Sequence, residues 1–491
     1  MQIKKFLKSS SFVYTLLFLY AFLLSLMSSC SPFTKFEPWG DSAAYMYNGY
    51  AMARGLTPYV DIYYGQVPFM RLVNYIGWLL GGKWGIWLFE LIFMTAGLIF
   101  GYKIARLYAS KIAAAAATVA VYSLMIVYLR NGNLTEEYAL PFMIIGLYLI
   151  LKFFKSDNLS RLQLIGIGAT CAAAFNFKIN MVLLWGIFFV AILIRMIVLK
   201  RYKDIFKYLG FVILGFFAVE LPIIIYLLSV NAFSTYFSVN ITGIFTYASN
   251  SAGSGRLFTA LEYFLLSALP FFVLCAAYFI CKLIFKRKEN SEIFLDYSLL
   301  ALLIFSYIGI SVIGNTYEHY AIQLIPCFLV PTAWVFGKLE KAIAQNGKKL
   351  VVVMSILLLI GICGQSLYQL PKINYEMLTA EEDRTTADMI QRFTTKDDKI
   401  IVLGFQCYLY MQSDRLAASK YYYQLPGSMF EDTRAEFFNE IKQNRPKLIV
   451  ICQQQILVDY PAIYEGLADF VAENYTEVNS PAGYAFYSLS E

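Results

Sequence analysis

The sequence predicts a multispan α-helical membrane protein of about eleven transmembrane helices with a small C-terminal extracytoplasmic α/β domain, and three observations carry that reading. Of 491 residues, 59% are hydrophobic, 17% aromatic and only 15% charged, against roughly 25% charged in an ordinary soluble chain. The apolar residues fall in blocks of about 20, the helix length that crosses roughly 30 Å of hydrocarbon. Charged residues return in force only after about residue 370.

Lipid offers a free backbone N–H or C=O no partner, so each block must be a helix. Spans are expected near 11–29, 85–107, 110–129, 137–154, 162–177, 180–199, 206–229, 259–284, 295–313, 320–337 and 350–368. Lys and Arg gather on the cytoplasmic side. With the N-terminus inside, that side holds dense groups such as Arg195, Lys200, Arg201, Lys203 and Lys207, or Lys282, Lys286, Arg287 and Lys288. The opposite side, up to the last span, holds only Lys35, Arg54, Arg71, Lys83, Arg130, Lys178 and Arg256. This bias accounts for the net charge of +7, which therefore gives no argument for nucleic acid.

Lys4, Lys5 and Lys8 before an apolar run ending in Met27-Ser28-Ser29-Cys30 also resemble a lipoprotein signal cleaved before Cys30. The run is long enough to span, and Met27 suits that cleavage poorly. Either way Cys30 ends outside and the remaining topology is unchanged.

An odd number of spans places the chain beyond residue 370 outside, giving two domains, 1–370 and 371–491. In the second, Ile400–Leu403 and Leu448–Ile451 read as buried strands, and 380–394 and 431–444 as amphipathic helices. The eight cysteines are scattered and show no metal-ligand spacing. Cys407 and Cys452 both fall in the outer domain at strand ends, which leaves a pairing open without arguing for one.

No Gly-rich phosphate loop, nucleophile elbow or metalloprotease helix is present, and one histidine leaves no parts for a His-based triad. Ionisable groups near the outer membrane boundary become the candidates, because charge at that depth is costly and tends to be functional. The first outer loop, 30–84, contains Trp39-Gly-Asp41 and continues through Tyr45, Tyr47, Tyr50, Arg54-Gly55, Pro58-Tyr59 and Asp61. Asp41 stands where an N-cap belongs and Gly55 where a C′ glycine belongs, so 42–54 is expected to be a short helix at the membrane surface. The loop's tyrosines suit an interfacial belt as well as sugar stacking. Glu136 and Glu137 open the fourth span, where acids favour the helix dipole. Lys178 sits between two short spans, and His319 heads the tenth. Glu90 and Glu220 are expected to pair with neighbouring helices. The polar loop from about 230 to 258, ending in the glycine-rich Asn250–Gly255, is suited to a mobile lid.

The run Asp41, Tyr45, Gly55, Pro58-Tyr59, Asp61 and Pro68, directly after a first span, resembles the first periplasmic loop of GT-C membrane glycosyltransferases. It is similar in particular to bacterial relatives of the dolichyl-phosphate-mannose protein mannosyltransferases, glycosyltransferase family 39-like. Asn131-Gly-Asn133-Leu-Thr-Glu136-Glu137, Asn176-Phe-Lys178 and His319-Tyr320 add to the likeness, which covers roughly 30–370. The resemblance implies transfer of a sugar from a polyprenyl-phosphate donor to an extracytoplasmic glycan, lipid or protein acceptor at the bacterial inner membrane, and it maps the base onto Asp41. Many relatives have two adjacent acids there, whereas Asp41 is followed by Ser42. A divalent metal stays open as a cofactor, but no paired-acid motif supports one.

Sugar transfer needs a carboxylate for the hydroxyl proton and a cation for the departing phosphate. Asp41 is the first choice of base and Asp61, otherwise a turn residue, the second. Lys178 is the first choice of phosphate cation, against the plain reading of a snorkelling lysine, with Arg71 and Arg256 in reserve. Glu136, Glu137, His319, Tyr45 and Tyr59 complete the candidate substrate contacts. A polymerase of lipid-linked oligosaccharides, a flippase of lipid-linked sugars and a noncatalytic scaffold stay as alternatives, although no internal repeat of the transporter kind is visible.

Overall fold

The architecture, taken from a computed structural model, is described for residues 10–35, 38, 40–63, 67–129, 131–243, 256–284, 290–312, 315–346, 361–362, 364, 383–424 and 431–490. The expected last span at 350–368 (apart from 361, 362 and 364), the whole Asn250–Gly255 stretch, Lys4, Lys5, Lys8, Trp39 and Arg130 lie outside the described residues. The chain divides into two compact units. One comprises Met1–Ser28, Phe89–Ile223 and Ala252–Tyr375, the other Ser29–Leu88, Ile224–Ser251 and Glu376–Glu491.

Among the described residues seven helices are long and apolar enough to cross a membrane: Lys83–Ala105, Lys111–Tyr128, Thr135–Ser156, Ile179–Val198, Tyr202–Ser229, Glu292–Val312 and Glu318–Gln345. Two shorter apolar helices, Ser11–Ser25 and Arg161–Phe175, fall at two further expected spans. The span expected at 259–284 is two helices, Arg256–Ser267 and Leu269–Ile284, bent by 83° at their junction. Pro270 supplies the reason, because it lacks the N–H that would continue the first helix and fits the first turn of the next.

The second unit is built on a five-stranded sheet of order β2-β1-β3-β5-β4, from β1 (Lys399–Leu403), β2 (Leu416–Ala417), β3 (Leu448–Cys452), β4 (Tyr475–Val478) and β5 (Tyr484–Leu489). β1 pairs in parallel with β2 and β3, and β5 runs antiparallel to β3 and β4. Side chains alternate across a strand, and the two faces separate accordingly. Ile400, Val402, Leu448 and Val450 pack on one side, while Ile401, Leu403, Ile449 and Ile451 pack with Phe437, Ile441 and Leu467 on the other. The expected outer helices are observed as Thr385–Phe393 and Glu431–Asn444.

The first face carries a third covering element, the loop helix Gly40–Met52. Its Ala43, Ala44, Tyr47, Tyr50 and Ala51 join Ile400, Val402, Tyr410 and Tyr422 in one core cluster. Every residue from Ser42 to Ala51 is buried, so this segment is a core helix and not the surface-lying one that its caps suggested. The tyrosines explain the difference, since a buried phenol with a hydrogen-bond partner adds large apolar area to a core. Cys407 and Cys452, between which the sequence left a pairing open, are both free thiols.

Candidate functional site

Asp41 is in the first turn of the loop helix, which begins at Gly40, and not at its N-cap. There its charge still complements the helix dipole, and its side chain is half-buried. The Tyr423 phenol and the Cys407 thiol lie within electrostatic reach of the Asp41 carboxylate. Burial first, then the charge of Asp41, push the Tyr423 phenol well above its usual range. The helix ends as expected at Gly55, whose φ of 88° is open to glycine at little cost. Gly55 N–H donates to Met52 O (3.0 Å) and Leu56 N–H to Ala51 O (3.1 Å), the paired bonds of a Schellman ending.

Polar latches hold the helix in register. The Ala417 N–H donates to Tyr47 Oη (2.8 Å), the Tyr422 hydroxyl to Ala44 O (2.9 Å), and the Tyr50 hydroxyl to Arg415 O (3.1 Å). Asn48, fully buried, donates to Ala44 O and to Tyr422 Oη, and accepts from Arg71. Arg71 is 2% exposed and its guanidinium lies over the Tyr59 ring, 4.1 Å from the centroid. Its donors are thus directed into the unit's own core. Tyr45 and Tyr59 are buried, and Asp61 is an exposed turn residue whose carboxylate accepts from Thr57 N–H (2.8 Å).

In the helical unit, three of the sequence's candidates meet. Lys178 and Glu136 form an ion pair, and His319 Nε2 stands 3.7 Å from the same Glu136 oxygen. Thr135 Oγ1 donates to the other oxygen at 2.7 Å. The Lys178 ammonium also lies 4.6 Å from the Tyr320 ring centroid, a cation–π distance. The neighbouring Glu137 belongs to a different group. It accepts from Leu134 N–H at 3.5 Å, while Glu90 accepts from the Ser28 hydroxyl (2.9 Å) and from Asn133 N–H. Glu220 pairs with Asn176. Arg256 opens its helix exposed, apart from this group. Among the described residues, no group of three or more His, Cys, Asp or Glu is placed to hold a metal.

Sequence reasoning missed Asn48, Tyr422 and Tyr423. No local signal marks them, because each matters through a partner 370 or more residues away.

Residues 2–369 match a family model described as "Putative competence-induced protein Ccs4 N-terminal domain". The chain belongs to that family. No curated protein matches it. Among solved structures, this Ccs4-family chain is similar to ArnT from Cupriavidus metallidurans bound to undecaprenyl phosphate, with TM-score 0.65, 15% identity and 98% of each chain covered. The apo form of ArnT matches with TM-score 0.64 and 14% identity over the same shares. It is also similar to the Archaeoglobus fulgidus oligosaccharyltransferase tethered with an acceptor peptide, with TM-score 0.53, 13% identity, and 99% of this chain and 75% of that chain covered. The Ccs4-family chain is therefore an integral membrane protein of GT-C-like fold with a small C-terminal sheet domain.

Proposed function

We propose that the protein is a glycosyltransferase that moves a sugar from a polyprenyl-phosphate donor to an extracytoplasmic acceptor hydroxyl on a glycan, lipid or protein, with Asp41 as general base. The observation that carries this reading is the combination of a GT-C-like fold across almost the whole chain with an acid in the first turn of the first loop's helix.

In this reading the acceptor oxygen attacks the anomeric carbon, the bond from that carbon to the phosphate oxygen breaks, and the acceptor proton passes to the Asp41 carboxylate. The electron pair leaves on the polyprenyl phosphate, where a fixed cation stabilises the growing charge. Lys178 is the proposed cation. Its pairing with Glu136 holds the ammonium in place in the absence of donor, and Glu137, His319, Tyr45, Tyr59, Arg71 and Arg256 remain candidate substrate contacts, with Asp61 as second base. Residues 1–370 form the proposed transferase domain of a bacterial inner-membrane protein, with a cytoplasmic N-terminus and with 371–491 on the outer face.

The test is sugar transfer from a panel of polyprenyl-phosphate sugars by purified wild type and Asp41→Asn, which keeps the side-chain volume. Loss of the base is expected to lower transfer by roughly 10²–10⁴-fold. Equal transfer by both proteins would leave Asp41 with only its helix-terminal role. Absence of transfer from every donor would favour a transporter or scaffold.

A further inference from the structure

We infer that Glu136 sets which phosphate Lys178 prefers, keeping the lysine's hold on the doubly charged polyprenyl phosphate product close to its hold on the singly charged donor, so that product leaves. This deepens the proposed function and rests on its reading of Lys178 as the phosphate cation.

The chemistry sets the problem. The donor is a phosphodiester with a single negative charge, whereas the released polyprenyl phosphate is a monoester whose second ionisation has a pKa of about 6. A bare lysine ammonium is a point charge that attracts the second charge as well as the first, so it would hold product more tightly than donor. Lys178 is not bare. It forms an ion pair with Glu136 Oε1, and that carboxylate is fixed on its other side by the Thr135 hydroxyl, which donates to Oε2 at 2.7 Å. Glu136 lies in the first turn of the helix Thr135–Ser156 with its side chain 3% exposed, so it has no water to retreat into. The lysine is fixed as well. Its N–H donates to Ala174 O (2.9 Å), its carbonyl accepts from Met181 N–H (3.0 Å), and its ammonium lies 4.6 Å from the Tyr320 ring centroid. Asn180, in the same turn, donates to Gln323 Oε1 at 3.4 Å, which ties Lys178 to the segment carrying Tyr320.

The Lys178 side chain is 26% exposed, and an anion meets the ammonium there with the Glu136 carboxylate still in place. Two charge-assisted contacts on one nitrogen put that anion about 5–6 Å from the nearer Glu136 oxygen. At such a distance one charge changes the affinity for another roughly 10-fold at a partly exposed site. The carboxylate therefore acts once against a phosphodiester and twice against a monoester. In the transition state the second charge has only partly grown, so the repulsion falls more heavily on product than on the reacting donor.

The test compares two probes with one hydrocarbon tail, a short-chain polyprenyl phosphate and its monomethyl ester, binding to full-length protein in detergent. Tail contacts cancel in the ratio of the two dissociation constants, taken at about pH 8 so that the monoester is doubly charged. In wild type the probes are expected to bind within roughly 3-fold of one another, and in Glu136→Gln the monoester is expected to gain roughly 10-fold over the methyl ester. Glu136→Asp, which keeps the charge, should stay with wild type. An unchanged ratio in Glu136→Gln overturns the inference, as does a loss of monoester affinity, which would make Glu136 a support for the lysine alone. A wild-type preference of roughly 100-fold or more for the monoester overturns it without any variant. The double variant Lys178→Met with Glu136→Gln, which strands no charge, tests the foundation. If it binds both probes as wild type does, or if wild type binds neither, the reading of Lys178 falls and the inference with it. If the double variant loses both probes while Glu136→Gln keeps the wild-type ratio, Lys178 stands as the phosphate cation and only the role of Glu136 falls.

Discussion

Removing Lys178 should destabilise the helical unit far more than removing its partner Glu136, and the asymmetry follows from burial. The Glu136 side chain is 3% exposed and the Lys178 side chain 26%. Lys178→Met strands a carboxylate in a buried place, a change that costs about 3–5 kcal/mol when a buried pair is broken. The lower end, about 3 kcal/mol, is expected because the Thr135 hydroxyl still donates to the same carboxylate. Glu136→Gln strands a lysine whose stem already reaches water, and such a side chain relaxes by snorkelling, for a cost of about 1 kcal/mol. The double substitution removes both charges and should cost about 1–2 kcal/mol, well under the sum. The assay is the apparent melting temperature of the four proteins in one detergent, at neutral pH. The order of destabilisation expected is Lys178→Met largest, then the double variant, then Glu136→Gln. Additivity within about 0.5 kcal/mol, or equal single effects, would refute the reading of a coupled pair with one deeply buried member.

Two further predictions concern the sheet unit. Gly49 packs so close to the Pro68–Gly81 helix that an added Cβ would overlap the Asn74 carbonyl, and backbone cannot step aside as a side chain can. Gly49→Ala should therefore cost about 1–3 kcal/mol, read as faster hydrogen exchange over 40–52 and 68–81; unchanged exchange would show that the helices separate freely. Partial burial is the largest single influence on Asp414 and raises its carboxyl, but Arg54 and Lys396 together more than offset this and hold it below the usual range. A depressed carboxyl contributes stability that is fully present above its unfolded value of about 3.9 and lost as pH falls through the folded value. With its side chain 35% exposed, the contribution stays under about 1 kcal/mol. Protection factors at 50–55 and 413–415, taken relative to the intrinsic exchange rate at each pH, should be flat from pH 7 to 5 and fall only below about 4, so a step above pH 5 would contradict the assignment.

What the sequence made legible is what depends on local period and composition. β1 and β3 are continuous apolar runs, and their expected positions agree with the observed strands within a residue. The helix Glu431–Asn444 follows from its amphipathic spacing, and Gly55 ends the loop helix as its backbone freedom requires. Other features depend on pairs distant along the chain. Lys178 and Glu136 each looked like an isolated boundary charge, and only the fold brings them together. Asp41 looked like a cap because aspartate is a favoured residue there, but the helix starts at Gly40, a residue earlier. The tyrosines of the first loop carry the composition of a membrane belt and the packing of a core, and one-dimensional pattern does not separate these. The break at Pro270 was hidden because both arms of that segment are equally apolar.

The latch between Ala417 and Tyr47 joins residues 370 positions apart, and this sets an order of events during biosynthesis. At about 5–20 residues per second, the loop helix is made some 20–75 s before the strands it covers. Through that interval Ala43, Tyr47 and Tyr50 have no sheet to pack on, and a 13-residue helix is marginal by itself. The loop bearing Asp41 thus reaches its final conformation only after nearly the whole chain has been made. A chain halted within its membrane part would carry the loop helix without the sheet that buries its Ala43, Tyr47 and Tyr50.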